Sequence, residues 1–312
     1  MSQSRSLKDY LLLAGKGIMM GAADAVPGVS GGTVAFITGI YEELIGSIHR
    51  FDAEAVTLLF TKGIGAFWRH VNGAFLVTLL SGIFISLVTL SHSVLYMLVH
   101  YPEMLWAFFF GLILASTIVI ARHIPEWDFK ASVLFLVGTL FAYILTSLAP
   151  TEIEATGVTI FLSGAIAICA MILPGISGSF ILLLLGMYEV ILTAVKNLDL
   201  LTLVLFAGGC GVGLLSFSRL LNWLFTHYRV ATLTLMAGFL LGSLNKVWPW
   251  KYTTAYTLNR HGEQIPLVQD NVSPLQYEAL SGHPAYGIAS IVLMLIGGGI
   301  VLIIERGQAG KK

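Results

Sequence analysis

Ala25-Val-Pro-Gly-Val-Ser-Gly-Gly-Thr33 returns 147 positions later as Ile172-Leu-Pro-Gly-Ile-Ser-Gly-Ser-Phe180, each time inside apolar sequence. Both copies run on at unchanged spacing to Gly39-Ile-Tyr-Glu42 and Gly186-Met-Tyr-Glu189. A Pro-Gly-x-Ser-Gly element breaks a helix, and backbone that leaves the helix in hydrocarbon must be buried in protein or line a polar cavity. Broken segments in corresponding places of two halves point to a transporter's substrate site.

Working outward, the chain reads as a polytopic membrane protein. Apolar residues make up 56% of 312 and charged residues 11%. Several apolar runs exceed the roughly 20 residues that span a bilayer. Lys plus Arg equals Asp plus Glu, 17 each, so no global charge suggests nucleic acid. The first ten residues are polar and lack a signal-peptide layout. Cys169 and Cys210 lie in apolar segments without CxxC spacing, which supports neither a disulfide framework nor a zinc site. No metal and no cofactor is expected.

Full spans are expected at 73–99, 103–121, 129–149, 199–224, 231–247 and 285–304. The segments 8–48 and 157–196 differ, because each is two apolar limbs joined through the broken element. Each reads as a re-entrant hairpin whose tip reaches toward the midplane. Lys and Arg placement sets the orientation: Arg5, Lys8 and Lys16, then Arg50, Lys62 and Arg69, then Arg122 and Lys130, and finally Arg306, Lys311 and Lys312 fall on the cytoplasmic side. The turns at 100–103 and 150–156 lack Lys and Arg, and the second carries Glu152 and Glu154. The loop at 248–284, with only Lys251 and Arg260, falls outside, its aromatic start serving as an interfacial anchor.

Three spans separate the hairpins, so the first enters from the cytoplasm and the second from outside. Ser91 and Ser218, Gly111 and Gly238, and Ser116 and Ser243 also match at an offset of 127, and Gly138 and Gly297 hold like places in the last span of each half. The expected fold is therefore all-α, with two inverted repeats at 1–150 and 151–312. Each is a re-entrant hairpin plus three transmembrane helices, the architecture of alternating access.

Ser30 and Ser177 stand where an N-cap belongs, before a new helical run. Gly31, Gly32 and Gly178 let backbone amides approach a ligand closely. Free amides and the helix dipole make an anion site, phosphate above all. Two such starts meeting at the centre would form a paired cradle; the plainer alternative is that serine caps and glycine packs helices. Charges in the membrane are costly and usually serve a purpose. Asp24 lies near the first tip, Glu42 and Glu189 lie farther along, and Arg219 lies in an apolar segment. Arg219 is a candidate phosphate partner, with snorkelling as the alternative. Asp24, Glu42 and Glu189 are candidate coupling or gating groups. Gly28-Val-Ser-Gly31 also fits a serine-hydrolase pattern, but a nucleophile needs a positioned base, and His92 stands alone within the spans. No enzyme is expected.

The paired motifs resemble those of the bacterial and archaeal polyprenyl-phosphate translocases of the PopT type, over roughly residues 8–305. The resemblance implies recycling of undecaprenyl phosphate from the outer to the inner leaflet for cell-envelope synthesis. It implies a multi-pass protein of the cytoplasmic (inner) membrane, and the Lys and Arg placement puts both termini on the cytoplasmic side. The family motif carries onto Pro27, Gly28, Ser30, Gly31 and Gly32, and onto Pro174, Gly175, Ser177, Gly178 and Ser179. Ser179 stands where the first copy has Gly32, so the cradle need not be symmetric. The expected partners are the polyprenyl-phosphate lipid and the bilayer, with proton or sodium coupling; homo-oligomerisation stays open. The alternative function is a secondary carrier or channel for a small anion.

Overall fold

The computed structural model describes residues 5–26, 29–151, 153–258 and 264–309. Pro27, Gly28, Glu152, Arg260, Lys311 and Lys312 lie outside the described residues. The chain is an all-α membrane protein with one small β-hairpin. The first segment folds as α1 (Leu7–Asp24), α2 (Gly31–Ile37) and α3 (Tyr41–His49), and the second as α10 (Gly157–Ile172), α11 (Gly178–Leu184) and α12 (Tyr188–Asn197). Between them lie α4 (Ala53–Lys62), α5 (Ile64–His70), α6 (Gly73–Thr89), α7 (Ser91–His100), α8 (Pro102–Arg122) and α9 (Phe129–Ser147). After α12 come α13 (Leu200–His227), α14 (Arg229–Ser243), β1 (Lys251–Leu258), β2 (Gln264–Asn271), α15 (Pro274–Ser281) and α16 (Gly287–Ala309).

Local chemistry sets the boundaries. Ser6 and Thr156 open α1 and α10 with capping boxes, and Asp128 and Asp199 cap α9 and α13. α10 stops at Ile172 because Leu173, ahead of Pro174, is extended (φ −65°, ψ 132°). Gly175 then takes φ +85°, a left-handed value that favours glycine.

Among the described residues, four helices, α8, α9, α13 and α16, are long and apolar enough to cross a membrane, and up to six if two bent pairs count as spans. Two expected spans are drawn differently. Residues 73–99 divide at Leu90 into α6 and α7, next to Thr89, whose hydroxyl bonds back to the Ile85 carbonyl at 2.7 Å. Such back-bonding bends helices. The span at 231–247 ends early, at Ser243. α14 tolerates its shortness because it is packed among other helices, with Met236, Ala237, Leu240 and Ser243 at 2% exposure or less. The segment between the first hairpin and α6 forms α4 and α5, which hydropathy at span length does not register.

Four close helix pairs build the body: α1 with α6, α10 with α13, α8 with α16, and α14 with α9. α8 and α14 also touch each other. A methyl at Gly111 would overlap the Met294 carbonyl, and one at Gly238 the Phe135 carbonyl, so backbones meet where side chains are missing. Outward faces carry apolar stripes such as Leu136, Leu140 and Ile144 on α9 and Ile288, Leu295 and Ile303 on α16, the surface a lipid solvent requires. Gly111→Ala is expected to cost about 1–3 kcal/mol of stability, read as earlier thermal unfolding of the purified protein. Gly299→Ala, whose new methyl meets open space, should leave it unchanged, and equal stability of both variants would refute the tight-seam account.

The segment after α14 forms a platform outside the helices. β1 and β2 pair antiparallel from Lys251↔Asn271 to Leu258↔Gln264. The indoles of Trp248 and Trp250 donate to the Val272 and Ala285 carbonyls at 2.9 and 2.8 Å. Tyr277 of α15 donates to the buried carboxylate of Glu103 on α8, which ties the platform to the helices.

Candidate functional site

The two broken elements meet inside the protein. α2 packs back on α1 and α11 on α10, so each segment folds as a hairpin, and α2 also touches α10. Ser30 Oγ donates to the Met171 carbonyl of α10 at 2.8 Å. In return, the Gly175 amide of the second tip donates to Thr33 Oγ1 of α2 at 2.8 Å. Residues 141 and 142 positions apart are thus cross-linked twice. Gly32 allows the approach, since a Cβ there would lie 2.5 Å from the Ile172 carbonyl and 2.8 Å from that of Met171.

The tips are chemically unequal. At the start of α2, the Gly31 amide donates to Asp24 Oδ1 at 2.6 Å, the Gly32 amide to Ser30 Oγ at 3.1 Å, and the Thr33 amide to the Ser30 carbonyl at 2.9 Å. The first turn is therefore satisfied by the chain, with the Asp24 carboxylate in the place of a bound anion. At the start of α11, Ser177 makes no side-chain cap. Its hydroxyl and that of Ser179 share a hydrogen bond of 2.8 Å. Gly178 abuts the Ala167 carbonyl, where a Cβ would fall at 2.7 Å. Ser30 is 1% exposed and Ser177 5%, so this conformation holds both hydroxyls away from water and lipid.

The remaining candidates are dispersed. Glu42 pairs with Arg229 at the start of α14, 2.7 Å apart with both side chains largely exposed, and a contact of that kind is worth little energetically. Glu189 is half-buried in the first turn of α12. Arg219 is exposed on α13, so the structure does not gather it with the buried serines. Thr33 was not singled out among the motif residues, although a hydroxyl there, where the second copy has Phe180, was a legible asymmetry. Lys16, a cytoplasmic-side charge in the sequence, donates to the Thr38 carbonyl at the end of α2, 2.7 Å away.

Comparison with known proteins decides the family. Residues 20–265 match the family model described as undecaprenyl phosphate translocase-like. The chain belongs to the undecaprenyl phosphate translocase-like family. Within curated proteins, it is 48% identical over 298 residues to a polyprenyl-phosphate transporter of Vibrio cholerae, covering 96% of this chain and 97% of that protein. It is 32% identical over 254 residues to a polyprenyl-phosphate transporter of Staphylococcus aureus, covering 75% of this chain and 84% of the relative. No solved structure matches the chain. Membership of this translocase-like family, whose named relatives are transporters, sets the serine-hydrolase reading of Gly28 to Gly31 aside. The protein is not an enzyme.

Proposed function

We propose that this protein transports polyprenyl phosphate, undecaprenyl phosphate in particular, from the outer to the inner leaflet of the bacterial cytoplasmic membrane, for reuse in cell-envelope synthesis. The observation that carries the reading is the double cross-link between the hairpin tips, Ser30 to Met171 and Gly175 to Thr33. It brings both motifs to one buried junction reached from two segments of the chain. The relatives' name supports the substrate.

The physics of the substrate suits such a junction. A phosphate monoester carries about −1.5 to −2 charges near neutral pH, and hydrocarbon excludes it. The long isoprenoid tail is itself a lipid. The protein therefore shields only the headgroup, while the tail stays in the bilayer through a lateral opening. Residues 1–150 and 151–312 act as inverted repeats with both termini cytoplasmic. The reciprocal packing of α8 on α16 and α14 on α9, alongside α1 on α6 and α10 on α13, supports that symmetry.

In this reading the buried conformation is an occluded state. The headgroup binds where the Ser30, Gly31 and Gly32 side of the junction faces Ser177, Gly178 and Ser179. The break at Pro174 and Gly175 lets the second tip move as a unit. Asp24 and Glu189 respond to the headgroup or a coupling ion, and the Glu42–Arg229 pair opens and closes with the hairpin. Arg219, on the outer face of α13, meets the phosphate on its way along the lipid boundary. Inward transfer of an anion against a negative-inside potential costs about 2.3 kcal/mol per charge per 100 mV, which a proton or sodium gradient offsets. Transport in proteoliposomes that ignores both gradients would remove that coupling.

The double substitution Ser30→Ala and Ser177→Ala is expected to abolish translocation of labelled undecaprenyl phosphate in proteoliposomes, while the purified protein still elutes as a folded species. Retained transport would overturn the headgroup role of the junction. A small-anion carrier would show itself by uptake of inorganic phosphate with no movement of the lipid.

A further inference from the structure

The turn between α14 and β1 brings Lys246 to the second hairpin and Lys251 to Lys246. α14 reaches that hairpin first, since a Cβ on Gly175 would lie 2.9 Å from Ser243 Oγ and 3.0 Å from the Phe239 carbonyl. Three residues beyond Ser243, Lys246 Nζ stands 4.4 Å from the centre of the Phe180 ring. Phe180 is the third residue of α11 and follows Gly178 and Ser179 directly. Lys251 Nζ donates to the Lys246 carbonyl and lies 5.5 Å from the centre of the Trp106 ring. The turn itself is braced: Asn245 Nδ2 donates to Ser147 Oγ at 3.1 Å, and Asn271 Nδ2 to Asn245 Oδ1 at 2.8 Å.

Both ammonium groups are partly withdrawn from water, and among the described residues neither forms an ion pair with a carboxylate. A cation over an aromatic ring recovers only part of what withdrawing an ion from water costs. The rings therefore do not offset the cost of withdrawing both ammonium groups from water. Lys251, on β1 outside the spans, has its pKa pushed down to about 7, first by burial and then by the charge of Lys246. An anion seated between the two ammonium groups would remove both penalties. A phosphate monoester, with close to two negative charges, would hold Lys251 in its protonated form and so match two cations, and the ring of Phe180 leads from Lys246 to the tip of the second hairpin.

We propose that Lys246 and Lys251 form a docking site for the phosphate headgroup, from which it passes to the start of α11. The proposal rests on the translocase reading and adds the residues that capture the substrate from the outer leaflet. Equilibrium binding of undecaprenyl monophosphate to the full chain in neutral-lipid nanodiscs tests it, paired with translocation in liposomes. Lys246→Met and Lys251→Met should each weaken binding about tenfold, the loss expected of one charge-assisted contact, and Lys246→Arg should stay near the parent. Lys251→Met leaves the Lys246–Phe180 contact in place, so it serves even if Lys246→Met fails to fold. Inorganic phosphate should displace the lipid from the parent protein, and vesicles of phosphatidylglycerol should not. Unchanged affinity in a folded Lys251→Met variant would overturn the proposal, as would displacement by phosphatidylglycerol as strong as by the monophosphate. A parent protein that binds and moves no undecaprenyl phosphate would instead overturn the translocase reading beneath it.

Discussion

Gly32→Ala is expected to reduce undecaprenyl-phosphate transport to background and to destabilise the protein by about 1–3 kcal/mol. The new methyl would sit 2.5 Å from the Ile172 carbonyl and 2.8 Å from the Met171 carbonyl. Both obstacles are backbone at the end of α10, so no side-chain rotation relieves them. The first tip has to withdraw, and two bonds depend on its position: Ser30 Oγ to the Met171 carbonyl and the Gly175 amide to Thr33. Each leaves a buried polar group behind when broken, at about 1–3 kcal/mol. Gly46→Ala, where a Cβ meets open space, is the control. Proteoliposome transport and thermal unfolding, measured on both variants, decide the matter. Parent-like transport in Gly32→Ala would mean that the tips need not touch.

The second large effect concerns Asp24. Its carboxylate accepts from the Gly31 amide at 2.6 Å and so occupies the position that an incoming phosphate oxygen would need. We predict that Asp24→Asn binds undecaprenyl monophosphate roughly tenfold more tightly, because a neutral amide competes less well for that N–H and does not repel the headgroup. Turnover should fall in the same variant, because a headgroup that nothing displaces is slow to leave. Asp24→Ala removes the acceptor altogether and should lose stability by about 0.5–2 kcal/mol, as the loss of a helix-start partner does. Binding in nanodiscs and transport in liposomes separate the two roles. Asp24→Asn with parent affinity and parent turnover would reduce Asp24 to a structural staple.

Much of the fold was legible because lipid imposes a strong length rule and broken helices have strong punctuation. α8, α9 and α13 begin within a residue of the expected spans, since Pro102, Asp128 and Asp199 mark helix starts in the sequence. The hairpins followed from Pro-Gly-x-Ser-Gly, whose proline interrupts a helix and whose glycine readily leaves it. The division at Leu90, the early end of α14 and the helices α4 and α5 were not legible. Each depends on which faces are covered by protein, and hydropathy at span length averages over that. Within the site, the serines and glycines stood out by repetition. Thr33 did not, because it acts on a residue far away in the chain.

The amino-acid sequence alone determined that the chain crosses a membrane and is interrupted twice by the same backbone-breaking element, since both follow from composition and from residues close together along the chain. Tertiary structure alone decided that the interruptions meet, that Asp24 rather than water satisfies the Gly31 amide, and that Lys246, beyond α14, stands over the Phe180 ring of α11. Those outcomes depend on contacts between residues scores of positions apart, where small-residue seams and buried hydrogen bonds choose among many compact arrangements that the local pattern leaves equally open.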